Sequence, residues 1–274
     1  MARTYAYSPG QKTVAASTTL VWTPAEIDAA GVVAFHLIVA ATGNTLADID
    51  RVRVKANGQT VIDVTVPELQ AYQERFSPKG ASDLVSGAAL TIPLNVMDGG
   101  SDDNQDKCQF MPGASATVEV VFNAGAVAGT ALLGWTKTTI DPEYYMTLIG
   151  TPMGVSGAQN GYRVPLSAPG FVQGFGIEMP DLSRIRVVLG GLEVVNLPGV
   201  QFGTAAGDMI RESQALYDAP DDASDISSFQ FLKLNQGLEA NSATSWVEVY
   251  CTGSMAATDE LALYTLVPVA PVGQ

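Results

Sequence analysis

Histidine occurs once in the 274 residues, at His36, and that scarcity removes most hydrolytic and metal chemistry. A triad or dyad built on imidazole has a single candidate, which lies in the apolar run Val33-Ala34-Phe35-His36-Leu37-Ile38-Val39. In that setting a hydrogen-bonded structural imidazole is expected, and His36 is given no role. Cysteine is nearly as scarce. Cys108 and Cys251 are too few for a disulfide scaffold and have no Cys-x-x-Cys spacing for zinc, so both read as ordinary free thiols. No Gly-x-x-x-x-Gly-Lys-Ser/Thr loop and no Gly-x-Gly-x-x-Gly motif is present, which leaves nucleotide binding, and a packaging ATPase, without support. The longest apolar stretch, Ala29 to Ala41, is interrupted by His36 and falls well short of the roughly 20 residues of a spanning helix, so it reads as a buried strand. The opening Met1 to Gly10 carries no apolar signal stretch, and export is not expected.

Positive charge is also in short supply. Lys and Arg number 14 against 28 Asp and Glu, a net charge of −14, so the field around the chain repels phosphate and direct nucleic-acid binding is not expected. No Lys/Arg cluster exists to adsorb to anionic lipid, so any contact with a membrane should be indirect. Charged residues make up only 15% of the chain and apolar ones 47%, which gives ample core volume and a surface built largely from Ser, Thr, Asn, Gln and Gly.

What is abundant is period-two alternation. Arg51-Val52-Arg53-Val54-Lys55-Ala56-Asn57-Gly58-Gln59-Thr60-Val61-Ile62-Asp63 reads as a β-hairpin, with Val52 and Val54 on one face, the basic residues on the other and Asn-Gly in the turn. The pattern returns without a gap, 133 residues on, as Arg184-Ile185-Arg186-Val187-Val188-Leu189-Gly190-Gly191-Leu192-Glu193-Val194-Val195-Asn196. Further elements recur in order. Ala81-Ser82-Asp83-Leu84 answers to Ala223-Ser224-Asp225-Ile226, Val118-Glu119-Val120-Val121 to Val247-Glu248-Val249-Tyr250, and Leu132-Leu133-Gly134-Trp135-Thr136 to Leu261-Ala262-Leu263-Tyr264-Thr265. The chain is a tandem duplication, divided here as 1–140 and 141–274, with 140–161 as the joining segment. The shrinking offset places an insertion in the first copy, which contains the acidic stretch Asp98 to Asp106.

Each copy is expected to carry one helical segment, Val66 to Phe76 and about Ala205 to Tyr217. The first has Thr65 and Glu68 at capping-box spacing, Pro67 in the first turn, and Leu69, Tyr72 and Phe76 on one face. Short apolar runs at Val33–Val39, Leu90–Leu94, Val118–Phe122, Phe229–Leu234 and Trp246–Tyr250, separated by turn residues, complete the rhythm of a sandwich or barrel. The predicted fold is all-β: two tandem jelly-roll barrels, each with a short helix between strands.

This organisation resembles the double jelly-roll major capsid proteins of tailless icosahedral viruses, in particular bacteriophages of the corticovirus and tectivirus kind. The likeness rests on the repeat, the hairpin Val52 to Ile62 and the paired helices, and it spans essentially the whole chain. It implies a coat protein whose homotrimer presents six upright barrels in a pseudo-hexagonal outline that tiles an icosahedral shell. The implied partners are further copies of the chain, penton or minor capsid proteins and, indirectly, an internal membrane. The implied location is the virion after synthesis in the host cytoplasm. Copies that each carry −14 repel, so lateral contacts should be apolar, hydrogen-bonded or cation-bridged.

Competing chemistry fares worse. A two-barrel metal enzyme of the cupin kind needs several histidines in each barrel. Glycoside hydrolysis needs only two carboxylates, and Asp102, Asp103, Asp106, Asp221, Asp222 and Asp225 are available. They sit among Gly, Ser and Asn, where solvated carboxylates of ordinary pKa are expected. The Asp98 to Asp106 stretch lacks the spacing and closing Glu of an EF-hand. Trp22, Trp135 and Trp246 could form a carbohydrate platform, which makes a two-barrel receptor- or sugar-binding spike the alternative function. Trp135 and Trp246 fall within strands, where core packing is expected, and Trp22 is left open. No catalytic, cofactor-binding or metal-ligating residue is assigned, and no small-molecule substrate is expected.

Overall fold

The computed structural model describes residues 3–39, 43–69, 72, 85–86, 89–94, 106–152, 162–178, 182–198, 229–251 and 260–269. The chain divides into two units, residues 1–149 with 268–274, and residues 150–267.

In the first unit one sheet runs β1 (Thr4–Tyr7), β11 (Gly129–Lys137), β4 (Val32–Val39), β8 (Ala89–Pro93), β7 (Val85–Ser86), with β2 (Lys12–Val14) also paired to β11. The other strands run β12 (Tyr144–Pro152), β6 (Gln59–Thr65), β5 (Ile49–Ala56), β10 (Ala116–Phe122), β3 (Thr19–Trp22), with β9 (Cys108–Gln109) on β12. A 3-10 turn, Leu46–Asp48, leads into β5. Its Thr45 backbone N–H and hydroxyl both donate to the Asp48 carboxylate, which closes the turn. Within this unit the described strand pairs are antiparallel except where β12 meets β6 and β9, which are parallel.

The second unit repeats this order. Strands β13 (Tyr162–Pro165), β18 (Trp246–Cys251), β15 (Leu182–Leu189) and β16 (Leu192–Pro198) stand as β3, β10, β5 and β6 do in the first. Likewise β19 (Glu260–Pro268), β14 (Ala168–Glu178) and β17 (Phe229–Ala240) stand as β11, β4 and β8 do. Strands inferred to correspond by sequence therefore occupy the same place in the pairing order, which is the structural signature of the duplication.

Alternation explains which face each strand buries. On β10 the pattern is strict: Ala116, Val118, Val120 and Phe122 are buried, while Thr117, Glu119 and Val121 are half-buried on the other face. Val52 and Val54 are fully buried on β5, and Arg51, Arg53 and Lys55 turn outward. Trp22, Phe35, Leu37, Ile62, Leu133 and Leu148 extend the first core, and Phe35 meets Phe110 edge-on at 6.2 Å. The second core gathers Val164, Val172, Phe175, Ile177, Ile185, Val187, Val247, Val249 and Leu261.

Both hairpins close through two residues of positive φ, Asn57 (50°) with Gly58 (81°) and Gly190 (56°) with Gly191 (82°). This is the primed turn whose twist matches the flanking strands. Asn57 also accepts hydrogen bonds from the Ser115 N–H and hydroxyl, tying the turn to the start of β10. Of the first helical segment, residues 66–69 and Tyr72 are helical. There the capping box is formed: the Thr65 N–H donates to Glu68 Oε2 at 2.7 Å, and the Glu68 N–H to Thr65 Oγ1 at 3.3 Å. The rest of that segment, all of 205–217, and both Ala-Ser-Asp elements lie outside the described residues.

Two glycines of positive φ separate turn chemistry from close packing. At Gly58 a Cβ would meet nothing within 4 Å, whereas at Gly170 (φ 74°) it would sit 2.2 Å from the Leu266 carbonyl oxygen. Gly58→Ala should therefore cost only the left-handed backbone penalty, about 1 kcal/mol. Gly170→Ala adds a backbone displacement and should cost about 3 kcal/mol or more. Urea unfolding of the two variants checks the contrast, and equal losses would remove the packing explanation.

Candidate functional site

Strand β4 places His36 between its two neighbours. Its Nδ1 lies 3.1 Å from Thr91 Oγ1 on β8 and its Nε2 2.7 Å from Thr136 Oγ1 on β11. Burial pushes the imidazole below its ordinary pKa and keeps it neutral. Both ring nitrogens are engaged by hydroxyls and no carboxylate orients them, so the arrangement is that of a structural histidine bridging three strands. Cys108 and Cys251 are buried free thiols, and burial raises the pKa of Cys108 far above the reactive range.

The acidic candidates separate. Asp98, Asp102, Asp103, Asp221, Asp222 and Asp225 lie outside the described residues. Asp106 does not behave as the composition around it suggests: instead of being solvated it is fully buried. Arg3 donates to it through Nε at 3.2 Å and through Nη2 at 2.6 Å. The physical reason is the chain's own start. Strand β1 lies against β11, and the residue just before it brings a guanidinium to a carboxylate 103 positions away, where a fork of two hydrogen bonds compensates desolvation. The pair fastens the N-terminal strand and is not a catalytic site. Among the described residues no group of three or more His, Cys, Asp or Glu could hold a metal ion. No described helix is long and apolar enough to cross a membrane.

The tryptophans also separate. Trp22 and Trp135 are buried in the first core. Trp246 departs from the core packing expected of it: it is only half-buried, on the outer face of β18, with the Arg163 guanidinium 3.7 Å from its ring centroid. Its place follows from register, since β18 buries Val247 and Val249 and so must turn Trp246, Glu248 and Tyr250 outward. With Trp22 and Trp135 buried, the three tryptophans do not present an exposed sugar platform.

What remains on the outer faces is a ladder of charges in equivalent positions. Arg53 stands opposite Glu119, and Arg186 opposite Glu248. In the first unit Asp63 takes both Arg51, at 2.9 Å, and Arg53, at 3.1 Å, while Lys55 takes Glu119. In the second, Arg186 takes Glu193 and Glu248, and Arg184 donates to Asn196 at 2.9 Å. Glu193 is held below the usual carboxylate range, first by the hydrogen bond from Arg186 and then by that from Asn196. Among the described residues these surfaces pair carboxylates with Lys and Arg and place no nucleophile beside a base.

Residues 25–139 match the family model of the viral coat protein P2 N-terminal domain. Along its whole length the chain is similar to the major capsid protein P2 of bacteriophage PM2, at 11% identity, with all of both chains covered and a TM-score of 0.68. The chain is a double jelly roll. The same double jelly roll is found in the major capsid protein of Sulfolobus turreted icosahedral virus, at 9% identity, a TM-score of 0.64, and 99% of this chain and 98% of that one covered. PBCV-1 VP54 is similar at 8% identity and a TM-score of 0.55, over 97% of this chain and 93% of that one. No curated protein matches this double jelly roll by sequence. The family match falls within the first unit, and the shared fold extends over both.

Two substitutions test the buried groups. Arg3→Ala leaves the Asp106 carboxylate buried without its fork and should cost about 2 kcal/mol, the loss of a buried pair reduced because Arg3 is partly exposed. The urea midpoint reads it, and an unchanged midpoint would show that the N-terminal strand is not fastened there. For His36 the folded pKa is the lower one, so the unfolded chain binds the proton first. Stability should be complete above the unfolded value of about 6.5 and decline as pH falls below it, until the folded group also titrates. In His36→Gln this decline should vanish, because no other histidine exists.

Proposed function

We propose that this chain is a major capsid protein that forms homotrimeric capsomers. The observation that carries the reading is the repeated strand order of the two units, joined to a coat-protein family match within the first. Two barrels per chain turn a threefold assembly into a nearly sixfold outline, and such an object packs on a hexagonal net with equivalent neighbours, as the facets of an icosahedron require. The role is geometric and involves no catalysis. The partners are other copies of the chain, together with penton or minor capsid proteins at lattice discontinuities and, indirectly, an internal membrane. Synthesis takes place in the host cytoplasm and the finished protein resides in the virion.

Electrostatics sets the assembly conditions. Each copy carries −14, and the screening length falls from about 30 Å at 0.01 M salt to about 8 Å at 0.15 M. Assembly should therefore strengthen as salt rises through that range. Light scattering of the purified chain should give the mass of three copies, and negative-stain images should show hexagonal outlines or sheets of them. A monomer that persists across salt and retains ligands on a glycan array would replace this reading with that of a receptor- or sugar-binding spike.

A further inference from the structure

Ten Lys and Arg side chains are described, and eight of them reach a carboxylate: Arg3, Lys12, Arg51, Arg53, Lys55, Lys107, Lys137 and Arg186. In a chain with twice as many acids as bases, that is the expected outcome. The exceptions are Arg163 and Arg184, which have no carboxylate within ion-pair distance among the described residues. Both are exposed, and both lie on the outer face of the β13-β18-β15-β16 sheet.

Their positions share a design. Arg163 stands opposite Glu248 in the β13–β18 register, yet that carboxylate is taken by Arg186 from the other side. Arg163 lies over Trp246 instead, 3.7 Å from the ring centroid. Arg184 stands opposite Tyr250, with its guanidinium 5.7 Å from that ring, and is steadied by Asn196. A guanidinium held against an aromatic ring keeps its planar fork oriented, loses little side-chain freedom on binding and is weakly hydrated, so it receives a carboxylate at small desolvation cost. Two such forks on one face form a receptor for anions on a molecule whose charge is otherwise strongly negative.

We propose that this face is a self-docking surface on which Arg163 and Arg184 receive carboxylates from a second copy of the chain. Charge complementarity selects that occupant. The chain carries 28 acidic residues, and Asp50, Asp141 and Glu239 are exposed with no ion pair among the described residues. Surplus carboxylates on one copy and unmatched forks on the next give repelling subunits an attractive, orienting contact. The proposal rests on the capsid reading and names where one of its contacts lies.

The test is assembly of the full chain at one fixed ionic strength, followed by light scattering, for wild type, R163Q/R184Q and R163E/R184E. The concentration at which assembly begins should rise about tenfold in the Gln pair and further in the Glu pair, with thermal unfolding of the unassembled chain unchanged in the Gln pair. A Gln pair that assembles at the wild-type concentration overturns the proposal and leaves the capsid reading standing. The same pair assembling normally but losing retention on an anionic glycan would give the face to a different occupant and overturn it equally. Wild type that never assembles overturns the capsid reading and this contact with it.

Discussion

Everything in this structure hangs on two central strands, β10 and β18, each hydrogen-bonded on both edges. Strand β10 pairs with β3 on one side and β5 on the other, and β18 pairs with β13 and β15 in the same way. A strand paired on both edges cannot slip by one residue without turning its buried side chains to water. Val118 and Val120, and Val247 and Val249, are all fully buried, so register, core and surface are fixed together. Glu119 and Glu248 face outward because the valines beside them face inward, and the flanking strands then supply Arg53 and Arg186 opposite them. The charge ladder is thus a by-product of core packing that the surface puts to use.

Scarcity of cations shapes what that surface can do. Exposed ion pairs contribute little each, about 0–1 kcal/mol. Their larger effect is to consume nearly every described cation within the chain, leaving an excess of negative charge that any assembly of copies would have to manage. Arg3 shows the other extreme, a cation committed to a buried carboxylate so that an N-terminal edge strand stays on its sheet.

The parts legible in the sequence were those whose signals are local. The hairpins announce themselves because alternation and turn residues lie within a dozen positions, and Asn57-Gly58 and Gly190-Gly191 adopt the positive φ that their identities suggest. The capping box at Thr65 and Glu68 is similarly self-contained. His36 could be placed in a strand but not given its partners, because Thr91 and Thr136 come from strands far along the chain. Asp106 misled for the same reason: its neighbours in sequence are polar, and only the β1–β11 pairing shows that Arg3 arrives to permit its burial. Trp246 misled because membership of a strand says nothing about which face is apolar until the register is known.

Duplication explains the shared fold but not the difference between the copies, and that difference has a physical consequence. Both units keep the Arg–Glu cross-strand pair at Arg53 with Glu119 and Arg186 with Glu248, so the sheet itself has been preserved. Around it the chemistry diverges. The first unit surrounds the pair with Lys55 and Asp63, so that Arg51, Arg53 and Lys55 all reach carboxylates within it. The second has Asn196 in the place of Asp63, so Arg184 meets an amide where Arg51 meets a carboxylate and is left unmatched; Arg163, with Trp246 beneath it, is the other unmatched cation among the described residues. In the pseudo-sixfold ring proposed above, barrels of one strand order would alternate in surface charge pattern. Identical barrels would let such a ring pack in two orientations related by a sixth of a turn with equal free energy, and differing charge patterns would favour one of them. A lattice of identical barrels would lack that preference, which gives divergence after duplication as definite a physical role as the duplication itself.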